Sequence, residues 1–410
     1  MRAHPLVGAA LVALAVLSPA QADESESLAV GLAATLEAFR ESHGFPGATA
    51  AIAQPDGTVT TAATGLADVE TRREMTPQTR MLAASIGKTF VAATVLALES
   101  EGALSRTDRL ADHLGDRPWF GELPNGGQIT LGQLLRHTSG LPDHPHLPAF
   151  QQAAAARIAT GAPAFTPEEV VGFVLAAEPL FAPGEGWAYS DTGYILLGLV
   201  IEEVTGRTYY AVLRDRFLAP LNLDDTLPSH GPDIPGLAVG YTVPGNPFGL
   251  PERTTDAEGR LVWDPAVEWT GGGLASTSAD LARWGQALFT GRAMAAPYLD
   301  RLLDGVQVAD ETPQVRYGAG VAIYADTPRG AVWGHGGWIP AYVSSLRHYA
   351  DHGVTVAFQI NTDAGVVDDS SDLVPALEAA LADLALGLPP GAGPVSNPEA
   401  APGPDPGSDR

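Results

Sequence analysis

Ser85 and Lys88, in the run Ser85-Ile86-Gly87-Lys88, stand just before an apolar stretch, Phe90-Val91-Ala92-Ala93-Thr94-Val95-Leu96-Ala97-Leu98. At the opening of a helix that spacing puts both side chains on one face, one turn apart, where an amine reaches the hydroxyl. Such a pair suits an activated serine nucleophile. The pattern alone is weak, because a serine three residues before a lysine is common on solvated helices. Composition adds weight: Lys88 is the only lysine among 410 residues, and the remaining Lys/Arg positions are all arginine. An amine accepts a proton where a guanidinium does not.

The elements that must position this pair follow from periodicity. Leu28, Leu32, Leu36 and Phe39 recur at helical spacing and predict a first helix ending near Gly44. Ala48 to Ala53 and Thr58 to Ala63 read as strands of a hairpin turned by Pro55-Asp56-Gly57. A loop from Gly65 to Arg80 then leads to the Ser85 helix. From Leu104 to Leu227 the pattern is helical, clearest at Gln128 to Thr138, Pro167 to Ala177, Gly193 to Thr205 and Tyr209 to Leu218. Gly231 to Asp264 is Pro/Gly-rich and reads as a long surface connection. Asp280 to Phe289 is helical, with Ser278 as its candidate cap. Strand-like runs follow at Tyr317 to Tyr324, at Val332 to His335 with its continuation Ala341 to His348, and at Val354 to Ile360. Leu373 to Leu386 is a closing helix. These strands extend the first hairpin into one antiparallel sheet formed by both chain ends. The expected class is α/β of the α+β type, with residues 23–103 and 265–388 building the sheet region and 104–264 a mostly α region.

The totals bound the function. A chain of 410 residues buries a large core. The net charge of -25 argues against a nucleic-acid partner, since phosphate contacts need clustered Lys and Arg. Residues 1–22 have a signal-peptide layout, with Arg2, an apolar run from Leu6 to Leu17, and Ala20-Gln21-Ala22 before acidic Asp23-Glu24. The expectation is an exported protein, periplasmic or secreted, with no stable membrane span in the mature chain. There is no cysteine, which excludes disulfides, thiolate metal sites and a cysteine nucleophile. Residues 389–410 form a Pro/Gly/acidic tail expected to be disordered. His137, Asp143, His144 and His146 make the one metal-like cluster; Pro142 and Pro145 disrupt helical ligand spacing, and we read the cluster as structural, with no metal and no cofactor.

Further motifs extend the Ser85 element. Tyr189-Ser190-Asp191 and His335-Gly336-Gly337 follow it in order, and the three together resemble the S-x-x-K, Y-x-N and K-T-G or H-x-G motifs of the serine β-lactamase and penicillin-binding protein superfamily. The surrounding text is similar to its D-Ala-D-Ala carboxypeptidase and class C-like esterase branch over nearly the whole mature chain. It includes Gly65-Leu66-Ala67-Asp68, Leu134-Leu135-Arg136-His137-Thr138-Ser139-Gly140-Leu141-Pro142, Phe181-Ala182-Pro183-Gly184, Gly193-Tyr194-Ile195-Leu196-Leu197-Gly198 and Gly272-Gly273-Leu274-Ala275-Ser276-Thr277.

The resemblance implies an antiparallel sheet flanked by helices with the site in a cleft, and it implies roles. Ser85 attacks an acyl carbonyl, Lys88 is the base when burial and Tyr189 favour its neutral form, and Tyr189 passes the proton to the leaving group. The backbone N–H groups of Ser85 and Trp338 form the oxyanion hole. Gly336 and Gly337 let substrate approach the strand, or mark a bulge. His335 helps hold Tyr189 or a substrate carboxylate. Asp191 departs from the usual asparagine: an ionised carboxylate only accepts hydrogen bonds and favours charged Lys88. The expected activity is that of a serine hydrolase cleaving a D-amino-acid peptide, a carboxylic ester or a β-lactam through an acyl-enzyme, on a small-molecule or peptide substrate with cell-wall fragments among the candidates. The alternative is a domain without chemistry that binds such fragments or a partner protein.

Overall fold

A computed structural model describes residues 19–391 apart from 176, 247, 295, 311 and 366–370. The expected leader lies largely, and the tail from 392 onward wholly, outside the described residues. The centre is a nine-stranded sheet: β1 (Gly47–Ala53), β2 (Val59–Asp68), β3 (Arg73–Glu74), β4 (Val306–Gln307), β5 (Val315–Tyr317), β6 (Ala322–Tyr324), β7 (Val332–Ile339), β8 (Tyr342–Tyr349) and β9 (Val354–Ile360), in the spatial order β3-β2-β1-β9-β8-β7-β6-β5-β4. All of its pairings are antiparallel, and the two chain ends meet where β1 runs against β9, from Ala48 opposite Ile360 to Ala53 opposite Thr355.

Side chains in a strand alternate between faces, and here both faces are covered. Ala48, Ala50 and Ile52 of β1, with Val354, Val356, Phe358 and Ile360 of β9, pack on Leu32 and Leu36 of α1 (Pro19–His43) and on Leu377 and Leu381 of the closing helix Leu373–Leu386. Ala51, Ala53 and Ala357 face the opposite core, which contains α2 (Gly87–Ser100), α3 (Asp191–Thr205) and α4 (Ser278–Phe289). Double burial explains why β1 and β9 are buried throughout. Helix α2 is buried from Gly87 to Leu98, so it runs through the core, where Phe90 stacks on Trp284 at 4.0 Å. Short helices at Leu110–Leu114, Leu131–Leu135, Pro148–Thr160, Pro167–Gly172 and Tyr209–Leu213 complete the middle of the chain. Among the described residues, no helix is long and apolar enough to cross a membrane.

The class is as expected, but local details differ: the run from Val332 to His348 is two antiparallel strands, β7 and β8, the 231–264 connection buries Ile234, Leu237, Leu250, Leu261 and Trp263 in a core cluster, and four more differences follow. Tyr317 to Tyr324 is two strands, because Gly318 and Gly320 reverse the chain; Gly320 takes φ +66°, and Gly318 N–H donates to the Val321 carbonyl at 2.8 Å. Strand β2 continues through Gly65 to Asp68, into the expected loop, because Leu66 pairs with Glu74. Helix α1 begins at Pro19, well before Leu28. Thr277, not Ser278, caps α4: its hydroxyl accepts from Asp280 N–H, while the Ser278 hydroxyl is held by Thr49, at 2.7 Å from its hydroxyl and 3.1 Å from its carbonyl.

Candidate active site

Ser85 lies in a single 3-10 turn, Ala84–Ile86, that opens α2. Ala84 takes φ +48°, a conformation costly for a residue with a Cβ, which the surroundings must hold in place. A small sheet does so. Met81–Leu82 and Leu227–Pro228 flank the central Leu274–Ser276; Ala83 N–H donates to the Leu274 carbonyl at 2.8 Å, and the Ala83 carbonyl accepts from the Ser344 hydroxyl at 2.7 Å. Behind the turn two backbones touch: a Cβ on Gly87 would stand 2.9 Å from the Gly272 Cα, and one on Gly272 would stand 2.6 Å from the Ala84 carbonyl carbon. Glycine is the residue that fits both positions.

Lys88 is fully buried, one turn into α2. An ammonium has three hydrogens, and three acceptors meet this one: Ser85 Oγ at 3.0 Å, the Gly271 carbonyl at 2.5 Å, and Asp191 Oδ1 in direct ion contact. The Tyr189 and Tyr194 rings stand 4.9 and 5.5 Å from Nζ, where their faces favour a cation. In this arrangement Lys88 donates to Ser85. Before it can act as a base, it must lose the proton aimed at that hydroxyl.

Tyr189 and Asp191 are positioned by the segment that carries the metal-like cluster. Ser190 N–H donates to His137 Nδ1 at 3.1 Å, Asp191 N–H to Asp143 Oδ1 at 2.8 Å, and the Ser190 hydroxyl to the Pro142 carbonyl at 3.2 Å. His144 meets the Thr192 hydroxyl through its backbone N–H and through Nδ1, both at 3.1 Å. His137, with its ring 4.2 Å from that of Tyr189, thus serves as an acceptor, and burial pushes it well below the ordinary imidazole range. Burial likewise raises Asp143 well above the usual carboxylate range, and Asp191 adds to the rise.

His335 is fully buried on β7. Its Nδ1 donates to the Gly336 carbonyl at 2.5 Å, which leaves Nε2 to accept from the Tyr317 hydroxyl at 2.7 Å. Burial, then the charge of Lys88, lowers His335 to about 3, so the ring is neutral at ordinary pH. It stands 6.2 Å, ring to ring, from Tyr189. The β7–β8 register is continuous, so the glycine pair marks no bulge. The space before Gly337 is filled by the Ala83 carbonyl, the Ala84 Cβ and Ser344 Oγ, so its missing side chain admits the nucleophile turn. Trp338, one residue beyond, is 37% exposed and faces Phe248 at 6.2 Å between rings.

Ser85, Lys88, Tyr189 and Asp191 therefore converge, with His335 beside them. Sequence reasoning missed two contributors from the turn after the 231–264 connection, Gly271 and Glu268. Gly271 acts through its carbonyl, which no residue type announces. Glu268 is half-buried; burial, with a further push from Asp191, raises its carboxyl to about 8.

Comparisons with known proteins bear on the family of this chain. The chain is 26% identical to penicillin-binding protein 4* of Bacillus subtilis over 73% of its length, and 26% identical to a D-aminopeptidase of Brucella anthropi over 84%. It spans 64% and 60% of those two proteins, about three fifths of their length. A solved D-stereospecific amidohydrolase from Streptomyces sp. superposes with a TM-score of 0.70 at 29% identity, covering 83% of this chain and 94% of that one. The D-amino acid amidase of Ochrobactrum anthropi SV3 shares the fold, with a TM-score of 0.73 at 23% identity over 87% and 98%. The Beta-lactamase family model matches residues 32–381, most of the chain and all of the converging side chains, and the protein belongs to that family.

Proposed function

We propose that this protein is an exported serine hydrolase that acylates Ser85 and cleaves amides or esters of D-amino acids, including D-peptides. The observation that carries the reading is the 3.0 Å contact between Ser85 Oγ and Nζ of the buried Lys88, which stands over the Tyr189 and Tyr194 rings. The amine form of Lys88 takes the proton of Ser85 Oγ as the oxygen attacks the carbonyl; Tyr189 gives its phenol proton to the leaving nitrogen or oxygen and is reprotonated from the Lys88 ammonium, which returns to the amine. The N–H groups of Ser85 and Trp338 receive the developing oxyanion. The D-aminopeptidase and D-stereospecific amidohydrolase relatives support the amide and the D configuration. A neutral His335 is a poor anchor for a substrate carboxylate, which places β-lactams last. Export rests on the layout of residues 1–22.

A fluorophosphonate probe should add one adduct to Ser85 in the wild type and none in Ser85→Ala; an unlabelled wild type refutes the acyl-enzyme. The binding-only alternative draws support from Asp191, whose carboxyl is in direct contact with Lys88 Nζ. It requires ligand binding indifferent to Ser85→Ala together with no turnover of p-nitrophenyl esters, D-peptides or nitrocefin.

A further inference from the structure

We propose that His137 is the positioning residue of the acid step: it fixes Tyr189 where a leaving group is protonated, and so decides whether the site expels a basic leaving group, an amide nitrogen or an alkoxide, as well as an activated phenolate. The inference rests on the acyl-transfer reading above and adds to it the residue that sets the choice of leaving group.

Two features of His137 are unfavourable by themselves. Its backbone takes φ +58°, in the left-handed region that residues with a Cβ seldom enter. Its side chain is buried, and its Nε2 has no hydrogen-bond partner among the described residues. Because Nδ1 accepts from the Ser190 N–H, the proton of the neutral ring sits on Nε2, so the unpartnered atom is a buried donor. The rings of Trp187, Tyr194 and Tyr317 stand around it, at 6.1, 5.3 and 4.7 Å between centroids. An apolar side chain would remove the unpartnered donor, and glycine would remove the strain. Backbone strain of this kind persists where the surroundings over-determine it, and it collects at functional sites. Here it accompanies a hold on Tyr189.

That hold combines a carbonyl, a ring nitrogen and a ring face. Ala188 N–H donates to the His137 carbonyl at 3.0 Å and Ser190 N–H to Nδ1 at 3.1 Å, while the Tyr189 ring lies 4.2 Å from the imidazole, tilted by 36°. The residues before and after Tyr189 are thus both bonded to this one residue. With φ at +58°, its carbonyl and its ring serve the same segment. Next to it, Gly184 N–H donates to the Thr138 carbonyl at 2.8 Å and Leu180 N–H to the Gly140 carbonyl at 2.9 Å, which ties the approach to Tyr189 to the same loop. On other sides the Tyr189 ring meets the Tyr317 ring edge-on at 6.3 Å and Lys88 Nζ at 4.9 Å from its centroid. Those contacts bear on the ring; the main chain on either side of it is held by His137.

The step this serves can be told apart from the attack. When the tetrahedral intermediate collapses, the bond from carbon to the leaving atom breaks, the electron pair goes to that atom, and the phenol proton of Tyr189 goes with it; the Lys88 ammonium then returns a proton to the phenolate. An amide nitrogen is too basic to leave without that proton, whereas p-nitrophenolate leaves as the anion. Loss of such an acid costs about 100- to 10,000-fold, and misplacing it by about 1 Å costs about 100-fold. A displaced Tyr189 should therefore slow amides and leave p-nitrophenyl esters little affected.

The test compares leaving groups. kcat/KM, which reports acylation, is measured for D-alaninamide and for p-nitrophenyl acetate with the wild type, His137→Asn, His137→Gln, Tyr189→Phe and His137→Gln/Tyr189→Phe. Asparagine tolerates a positive φ, and its side-chain oxygen comes to the place of Nδ1; glutamine carries its amide one bond farther, to the place of Nε2. His137→Gln should lose about 100-fold on the amide and less than about fivefold on the ester, the split that Tyr189→Phe also gives, while His137→Asn stays within about tenfold of the wild type on both. The double variant should be no slower on the amide than Tyr189→Phe alone, since both changes remove one function. Fluorophosphonate labelling of Ser85, in which fluoride leaves unprotonated, should keep its rate in His137→Gln and report an intact nucleophile turn. Equal losses on both substrates, with or without loss of labelling, no loss on the amide, an Asn variant as slow as the Gln one, additive losses in the double variant, or a wild type that hydrolyses the ester and not the amide overturns the proposal. Failure of the acyl-enzyme reading appears separately, as a wild type whose Ser85 takes no label.

Discussion

Replacing Asp191 with asparagine isolates what the carboxylate does to Lys88. The amide keeps a hydrogen bond to Nζ and removes the charge, while Ser85 Oγ at 3.0 Å and the Gly271 carbonyl at 2.5 Å remain in place. Two unit charges about 4 Å apart attract by roughly 4 kcal/mol at an effective dielectric of 20. The Asp191 side chain is 22% exposed, so solvent screens part of that. Taking about 1.4 to 4 kcal/mol as the loss, the amine form of Lys88 gains about ten- to a thousandfold, at one decade per 1.36 kcal/mol. If that form takes the Ser85 proton, Asp191→Asn accelerates acylation below the pH at which the wild type is fastest. The assay is the second-order rate of fluorophosphonate labelling of Ser85, followed across pH in both proteins. The variant should be faster at neutral pH, its profile displaced toward acid, and the two rates should converge at alkaline pH. A slower variant with an unchanged profile refutes the reasoning: Asp191 would then be accepting the proton through Lys88, and the ion pair would act as one base.

Two further outcomes concern the scaffold. Glu378, on the closing helix, sits under the sheet against Arg347 at 3.2 Å and the Ser345 hydroxyl at 2.5 Å, both buried. Glu378→Ala leaves a buried guanidinium without its carboxylate and should cost about 3–5 kcal/mol in urea unfolding; a loss under about 1 kcal/mol would show the pair to be replaceable by solvent. Burial lowers His144 and His348 to about 4 and His335 to about 3. The unfolded chain then binds protons below about 6.5 that the folded chain refuses, so the stability is fully present above that pH and is lost as pH falls toward the folded values, by up to about 1.4 kcal/mol per pH unit for each ring. Asp143 and Glu268, with raised values, act in the opposite sense. Comparison with His348→Gln separates the contributions: its melting temperature should fall less between about pH 7 and pH 5 than that of the wild type, and parallel curves would refute the assignment.

How much of this was legible in the sequence depends on whether a feature is local. The β1–β2 hairpin, α2, β9 and the closing helix were readable because a two-residue or helical period runs through each of them. Tyr317 to Tyr324 misled because its apolar residues alternate well enough for a strand, while Gly318 and Gly320 turn the chain. The Ser85, Tyr189 and His335 elements were found through motif order. The 137–144 segment was noticed for its residue types, as a metal-like cluster, yet its groups clamp Tyr189 and Asp191 through backbone N–H donors, a relation visible only in three dimensions. Glu268 had no sequence signal: its meaning depends on Lys88 and Asp191, which come from other parts of the chain.

Asp191 and Lys88 make sense as a pair. With an amide at 191, as in the motif this sequence resembles, the ammonium of the chain's single lysine would be a cation without a carboxylate partner, and an anionic substrate group could use it. The carboxylate of Asp191 neutralises that cation from within. On the proposed reading, a ligand carboxylate would compete with Asp191 for Lys88.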